Sequence, residues 1–185
     1  QVASGGYTGA SAALAGGRAF YGTFENQVLA VDLAARKAAW RYEHPTRKFP
    51  FYSSAALAGG LVVLGGRDKS VHALDAKTGE MRWEAKTDTR GQTQGAVIAG
   101  DKVISGGTCP NAASCYISAH DAKTGALVWK FYTAARTGEP GGDTWGDTPD
   151  DKRTASTWGL PGTYDPSTNS VIWSVANPTP NSRAE

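Results

Sequence analysis

The sequence predicts an all-β chain made of β-propeller blades, each of four antiparallel strands: three full blades and half of a fourth. Three observations carry this. A motif recurs: AVDLAARKAAW (residues 30–40), ALDAKTGEMRW (73–83) and AHDAKTGALVW (119–129) each set an Asp eight residues before a Trp, and Asp32, Asp75 and Asp121 lie 43 and then 46 residues apart. That spacing is the length of one four-stranded blade. A matching pair of short apolar strands precedes each copy, in SAALAGGRAFYGT (11–23), SAALAGGLVVLGG (54–66) and GAVIAGDKVISGG (95–107), each with a tight turn at Gly-Gly or Gly-Asp. The composition agrees, with 23 Gly, 6 Trp and 7 Tyr in 185 residues but one Met, and with apolar runs that are short and bounded by Gly, Asp, Asn or Pro. Many short strands joined by turns require such a composition.

Taken in order, the blades are expected over residues 10–44, 53–87 and 93–133. In each, the hairpin supplies two strands, a third runs into the Asp, as in SVHALD (70–75), and a fourth carries the Trp, as in EMRWEA (80–85). The turn between them is built from residues that make turns: Asp and Thr bond their own backbone, and Gly79 and Gly125 can take positive φ. Ala leaves room for a neighbour, and the Trp docks flat between adjacent sheets. The motif therefore repeats because each blade presents the same surface to the next, and its Asp, Gly and Trp residues read as architecture. After the third blade the rhythm breaks at a polar, Gly- and Pro-rich loop (134–155) too long for a hairpin turn. A last hairpin follows in a partial blade (156–178), turning at Asp165 to Asn169. Three and a half blades leave open sheet edges, so the chain is expected to be a segment of a larger ring, or to close one with another chain.

Several function classes are excluded at this level. With 19 Lys plus Arg against 17 Asp plus Glu, the net charge is +2 and the basic residues form no stripe, so nucleic acid has no electrostatic footprint. No apolar stretch approaches the roughly 20 residues of a membrane helix, and QVASGGYTGA lacks the basic start and apolar centre of a signal peptide. The expectation is a soluble chain whose signal, if it is exported, has been removed. No P-loop, G-x-G-x-x-G or Ser-His-Asp order appears. Cys109 and Cys115 flank five residues, a spacing that suits a small disulfide-closed ring; two free thiols and metal binding are the alternatives. With His44, His72 and His120 the only histidines, no Cys/His zinc pattern completes, and His72 and His120 read as strand-face structural residues. Asp143, Asp147, Asp150 and Asp151 read either as a solvated loop with Asp at turn positions, or as a cation site or acid/base pair.

The A-x-D-x-x-T-G-x-x-x-W repeats resemble the tryptophan-docking motifs of the pyrroloquinoline-quinone (PQQ) dehydrogenase superfamily, which also contains propellers with no cofactor. The resemblance to the quinoprotein alcohol dehydrogenases runs over roughly residues 88–183, where TQGAVIAGDKVISGG, ISAHDAKTGALVWKFYT, GEPGGDTWGD, STWGLPGTYDP and VANPTPN follow in that family's order. The first half is more similar to cofactor-free members, such as the scaffold lipoprotein of outer-membrane assembly, and lacks the dehydrogenases' adjacent Cys pair and nearby Arg. A join of two branches near Asp88 is a third reading of that change.

The resemblance implies an eight-bladed, periplasmic oxidoreductase that oxidises an alcohol, with PQQ and Ca²⁺ or a lanthanide on the axis. It puts the family's cofactor-contacting hydroxyls on Thr93, Thr108 and Ser156, the Trp stacked on the quinone on Trp158, and a metal-binding Asn on Asn177, whose amide oxygen suits a hard cation. The family's metal-binding Glu falls on Asn111 or Pro110, in a loop (107–115) with no carboxylate, and one extra residue stands near Pro161. The catalytic Asp is expected beyond Glu185. No C-x-x-C-H haem site is present, so a cytochrome acceptor would be a separate partner or lie outside this segment. The rival expectation is a non-catalytic propeller scaffold that binds other proteins.

Overall fold

The computed structural model describes residues 6–91, 94–157 and 161–180. Three four-stranded sheets follow one another along the chain: β1 (Ala13–Ala15), β2 (Arg18–Gly22), β3 (Gln27–Asp32) and β4 (Lys37–Glu43); β5 (Ala56–Ala58), β6 (Leu61–Gly65), β7 (Ser70–Asp75) and β8 (Met81–Lys86); β9 (Val97–Ala99), β10 (Lys102–Ser105), β11 (Tyr116–Asp121) and β12 (Leu127–Tyr132). Each strand pairs antiparallel with the next, and β13 (Thr163–Asp165) pairs with β14 (Ser170–Ile172) in a two-stranded sheet. This is the all-β, four-stranded blade architecture that the repeat predicts. The first strands of successive sheets approach one another, β5 to β9 and β9 to β13.

The turns explain the repeat. Gly16 and Gly17, and again Gly59 and Gly60, all have positive φ, which the two-residue turns of right-twisted hairpins demand. At the corner before the fourth strand, Asp75 Oδ1 accepts from the Lys77 and Thr78 amides at 2.8 and 2.9 Å, and Asp121 Oδ1 accepts from those of Lys123 and Thr124 at 3.0 and 2.8 Å. Gly79 (φ 80°) and Gly125 (φ 74°) close these corners. The motif's Ala stands opposite its Trp across the strand pair, as Ala30–Trp40, Ala73–Trp83 and Ala119–Trp129, and a bulge follows each time. In the first sheet Arg36 occupies the place of Gly79 and Gly125 at φ 53°. A side chain there is strained by about 1 kcal/mol, so Arg36→Gly is expected to raise stability by up to ~1 kcal/mol in urea denaturation, whereas the same change at Lys37, on a strand, lowers it.

The core lies between sheets, because a strand sandwiched on both sides sends alternate residues to different neighbours. In β7, Leu74 joins Phe20, Val28, Phe51, Val62 and Leu64 between the first and second sheets, while Val71 and Ala73 join Val63, Trp83 and Val103 between the second and third. That is why Ser70 to Leu74 are all buried rather than alternating. A smaller cluster of Val97, Ile104, Ile117 and Ala119 meets Tyr164, Val171 and Trp173 of the last hairpin.

Residues 134–155 are packed rather than trailing. They hold short 3₁₀ turns at Gly142–Trp145 and Asp150–Lys152 and wrap the buried Arg153, whose guanidinium donates to the carbonyls of Thr148 (2.8 Å) and Ala135 (3.0 Å).

Candidate functional site

Three segments converge beside the third sheet: the loop after β10, the stretch Thr154–Thr157, and the stretch Val175–Thr179. The last two pair antiparallel through Thr154–Thr179 and Thr157–Val175, and the Ala176 amide donates to the Ser156 carbonyl at 2.8 Å. The loop is closed by a disulfide between Cys109 and Cys115. It is fastened to the second stretch, since the Cys109 amide donates to Ser156 Oγ (3.0 Å) and the Ala155 amide points at Cys115 Sγ (3.3 Å).

The expected site residues distribute as follows. Ser156 lies at the centre of this junction, half-buried, with its hydroxyl accepting from Cys109. Thr108 is half-buried on the loop, and its carbonyl accepts from the Arg90 amide at 2.8 Å. Asn177 is exposed on the third stretch, next to Ala176. Asn111 caps the short turn Ala112–Ser114, and its Oδ1 accepts from the amide and hydroxyl of Ser114 at 3.2 and 3.0 Å. Thr93 and Trp158 lie outside the described residues. The acidic residues of the long loop are not gathered: Asp150 accepts from the Thr137 amide and hydroxyl, Asp151 pairs with Lys152, and Asp143 and Asp147 are exposed.

Closing a seven-residue ring removes unfolded-state freedom worth about 2 kcal/mol. Reduction of Cys109–Cys115 is therefore expected to lower stability by about 2 kcal/mol. Both sulfurs are buried, so the thiols are expected to appear slowly in the native chain and quickly in denaturant, as thiol titration with and without urea would show.

Two groups escaped the sequence reading. One is the buried Gln94, whose Nε2 donates to the carbonyl and hydroxyl of Thr157 while Thr157 Oγ1 donates to the Gly107 carbonyl (3.2 Å); its only signal was its place beside Thr93. The other lies between the first two sheets. Asp68, His72 and Glu84 bring metal-capable atoms within 4.8 Å of one another, but Arg47 already supplies the cation, with Nη2 2.5 Å from Glu84 and 2.9 Å from Asp68. His72 Nε2 faces Asp68 at 3.1 Å and Ser70 Oγ donates to Glu84 at 2.9 Å. Burial alone would raise both carboxyls, yet the His72 hydrogen bond and Arg47 hold Asp68 below the ordinary carboxylate value, and the Arg47 and Ser70 hydrogen bonds do so for Glu84. His120 bonds the Gly125 carbonyl and Ser118, a structural use.

An apolar groove of about 540 Å³ runs between β12 and the last hairpin, lined by Ile117, Trp129, Phe131, Val171, Trp173 and Val175 among others. None of Thr108, Ser156, Asn111 or Asn177 lines it. Its origin is the repeat. Trp40 lies against Gly79 and donates to the Ala76 carbonyl (3.1 Å), and Trp83 lies against Gly125 and donates to the Ala122 carbonyl (2.9 Å). Trp83 is 7% exposed; Trp129, third in register, is 36% exposed.

Two family models match the chain. That of the outer membrane protein assembly factor BamB covers residues 3–114, and that of the glucose/ethanol/alcohol dehydrogenase β-propeller domain covers residues 87–184. The chain belongs to the PQQ-type β-propeller family. Among solved structures, this PQQ-type propeller is similar to the quinohemoprotein alcohol dehydrogenase from Comamonas testosteroni (20% identity, 95% of this chain and 30% of that one, TM-score 0.77). It is similar also to a europium-containing methanol dehydrogenase (22%, 85% and 33%, 0.70) and to BamB from Moraxella catarrhalis (21%, 84% and 48%, 0.60). The chain thus spans about a third of the dehydrogenases and about half of BamB. A search of curated protein sequences finds no match. Among the described residues, no helix is long and apolar enough to cross a membrane.

The junction fits the two groups of such a propeller unequally. For a polar, flat cofactor it offers the hydroxyls of Thr108 and Ser156 and the buried Gln94 Oε1, which has no hydrogen-bond partner among the described residues. For a hard cation the described residues offer little: loop 107–115 has no carboxylate, the Asn111 oxygen is engaged by Ser114, and Asn177 is a neutral ligand. One neutral amide does not hold Ca²⁺.

Proposed function

We propose that this chain forms one wall of the PQQ pocket of a periplasmic quinoprotein alcohol dehydrogenase. The observation that carries the reading is that the dehydrogenase-type half of the chain brings the Thr108 loop, Ser156 and the Asn177 stretch to one junction. PQQ, when bound, supplies the redox chemistry by accepting the electrons of the alcohol. The chain's own residues would hold it: the hydroxyls of Thr108, Ser156 and Thr93 would bond its polar groups, and Trp158 would supply an apolar face. Asn177 contributes one ligand to Ca²⁺ or a lanthanide, and the anionic ligands and the catalytic carboxylate come from outside this segment. A cytochrome acceptor would be a separate partner or lie outside this segment.

In this reading the remaining blades, or a second chain, cover the Trp129 groove with a corner like those at Ala76–Gly79 and Ala122–Gly125. The test is a titration of the purified chain with PQQ, with and without Ca²⁺ or La³⁺, followed by tryptophan quenching. Saturable quenching by PQQ is expected, with no increment from Ca²⁺ or La³⁺ in this chain alone, because the anionic ligands lie outside it; absence of saturable quenching overturns the pocket.

A second reading, a non-catalytic scaffold for protein–protein contact, is favoured by the assembly-factor match over residues 3–114 and by the missing carboxylate of loop 107–115. In that case neither PQQ nor metal changes the fluorescence or the thermal midpoint.

A further inference from the structure

The three segments of the junction are tied by one buried knot. Gln94 is 3% exposed and Thr157 1%. Gln94 Nε2 donates to both the carbonyl and the hydroxyl of Thr157, 63 residues away, and Thr157 Oγ1 donates on to the Gly107 carbonyl, 50 residues back. The packing is close: a Cβ at Gly106 would fall 2.4 Å from Thr157 Oγ1, and one at Gly107 would fall 2.8 Å from the Thr89 side chain.

The two carbonyls have a particular place in the chain. That of Thr157 belongs to the planar peptide unit leading into Trp158, and that of Gly107 to the unit leading into Thr108. Gln94 is itself the chain neighbour of Thr93, and Thr157 that of Ser156. The two bonds of the knot that end on carbonyls therefore each fix a peptide unit next to an expected cofactor contact. Gln94 Oε1 is meanwhile buried without a hydrogen-bond partner among the described residues, a cost that an apolar side chain of similar size would avoid. Polar groups kept at such a cost are found where geometry matters more than stability.

We propose that Gln94 is a positioning residue: through Thr157 and Gly107 it sets the mutual geometry of the segments that carry Thr108 and Ser156, and so controls PQQ affinity. The inference rests on the PQQ reading above. It is tested with the full chain by PQQ titration, thermal melting and amide hydrogen exchange of Gln94→Leu, Thr157→Val, Thr157→Ser and the Gln94→Leu/Thr157→Val pair. Val103→Ala, in the buried cluster between the second and third sheets, is the stability control.

Gln94→Leu and Thr157→Val are each expected to weaken PQQ binding by about tenfold or more, as loss of a supporting hydrogen bond does. The double variant is expected to bind no more weakly than the weaker single one, because both break one linkage. Thr157→Ser, which keeps the hydroxyl, stays near wild type, and Val103→Ala lowers the melting midpoint without changing affinity. Unchanged PQQ affinity in Gln94→Leu, or an equal loss in Val103→Ala, overturns the proposal. If the wild-type chain binds no PQQ, the functional reading fails and exchange decides the knot: faster exchange of residues 106–109 and 154–157 in Gln94→Leu, with β7 unchanged, upholds it, and unchanged exchange there overturns it.

Discussion

Gly125→Ala is expected to cost about 3 kcal/mol and to divide the chain's unfolding into two steps. Gly125 sits at φ 74°, where a side chain is strained by roughly 1 kcal/mol. A Cβ there would stand 2.7 Å from Trp83 Cδ2, and relieving such an overlap in a packed core costs about 1–3 kcal/mol. The indole cannot retreat, because its Nε1 donates to the Ala122 carbonyl and the ring is packed among Val63, Val71 and Val103. The damage falls on one interface, between the second and third sheets. In an array whose units contact only their neighbours, stability is a sum of unit and interface terms, so weakening one interface uncouples what lies on either side. Calorimetry should show a midpoint about 10 °C lower and a broadened or split transition. Gly79→Ala should do the same between the first and second sheets, where Trp40 is the obstacle. A loss below about 1 kcal/mol at both sites would mean that these glycines do not set the spacing of the sheets.

Asp68→Ala is expected to cost about 3 kcal/mol, the upper end of the range for leaving buried polar groups without their partner. The Asp68 side chain is 7% exposed. Its loss leaves the fully buried His72 without its Nε2 partner, takes the acceptor from the Ser70 amide and one carboxylate from Arg47. Asp68→Asn, which keeps the shape but not the charge, should cost less and reveal the titration. Because the folded protein holds Asp68 below its ordinary value of 3.8, its ionic contribution is complete above that value. It is lost as pH falls through the lower folded value. Glu84, held below 4.5, acts in the same direction. The stability gap between wild type and Asp68→Asn should therefore be constant near neutrality and narrow under acid, as urea denaturation between about pH 3 and pH 7 would measure. A gap that widens under acid would show that Asp68 is protonated in the folded chain.

The blades were legible in the sequence because their signals are local. Asp75 and Asp121 bond amides two and three residues on, and Gly79 and Gly125 take a backbone angle that few other residues accept. The Trp register was equally legible, since each Trp stands opposite an Ala of its own motif. The candidate site was legible only as a set of chain positions. Nothing near Asn111 says that its amide oxygen would be taken by Ser114, and nothing near Thr157 announces Gln94.

The sequence by itself determined the strands and the corners, because short apolar runs and turn chemistry are properties of a few consecutive residues. Only the tertiary structure decided which groups meet across blades: Arg47 with Asp68 and Glu84, Gln94 with Thr157 and Gly107, and Trp83 covered while Trp129 lines an open groove. The physical reason is that a buried charge or amide is satisfied by whatever the packed sheets bring within about 3 Å, a distance that spacing along the chain does not encode.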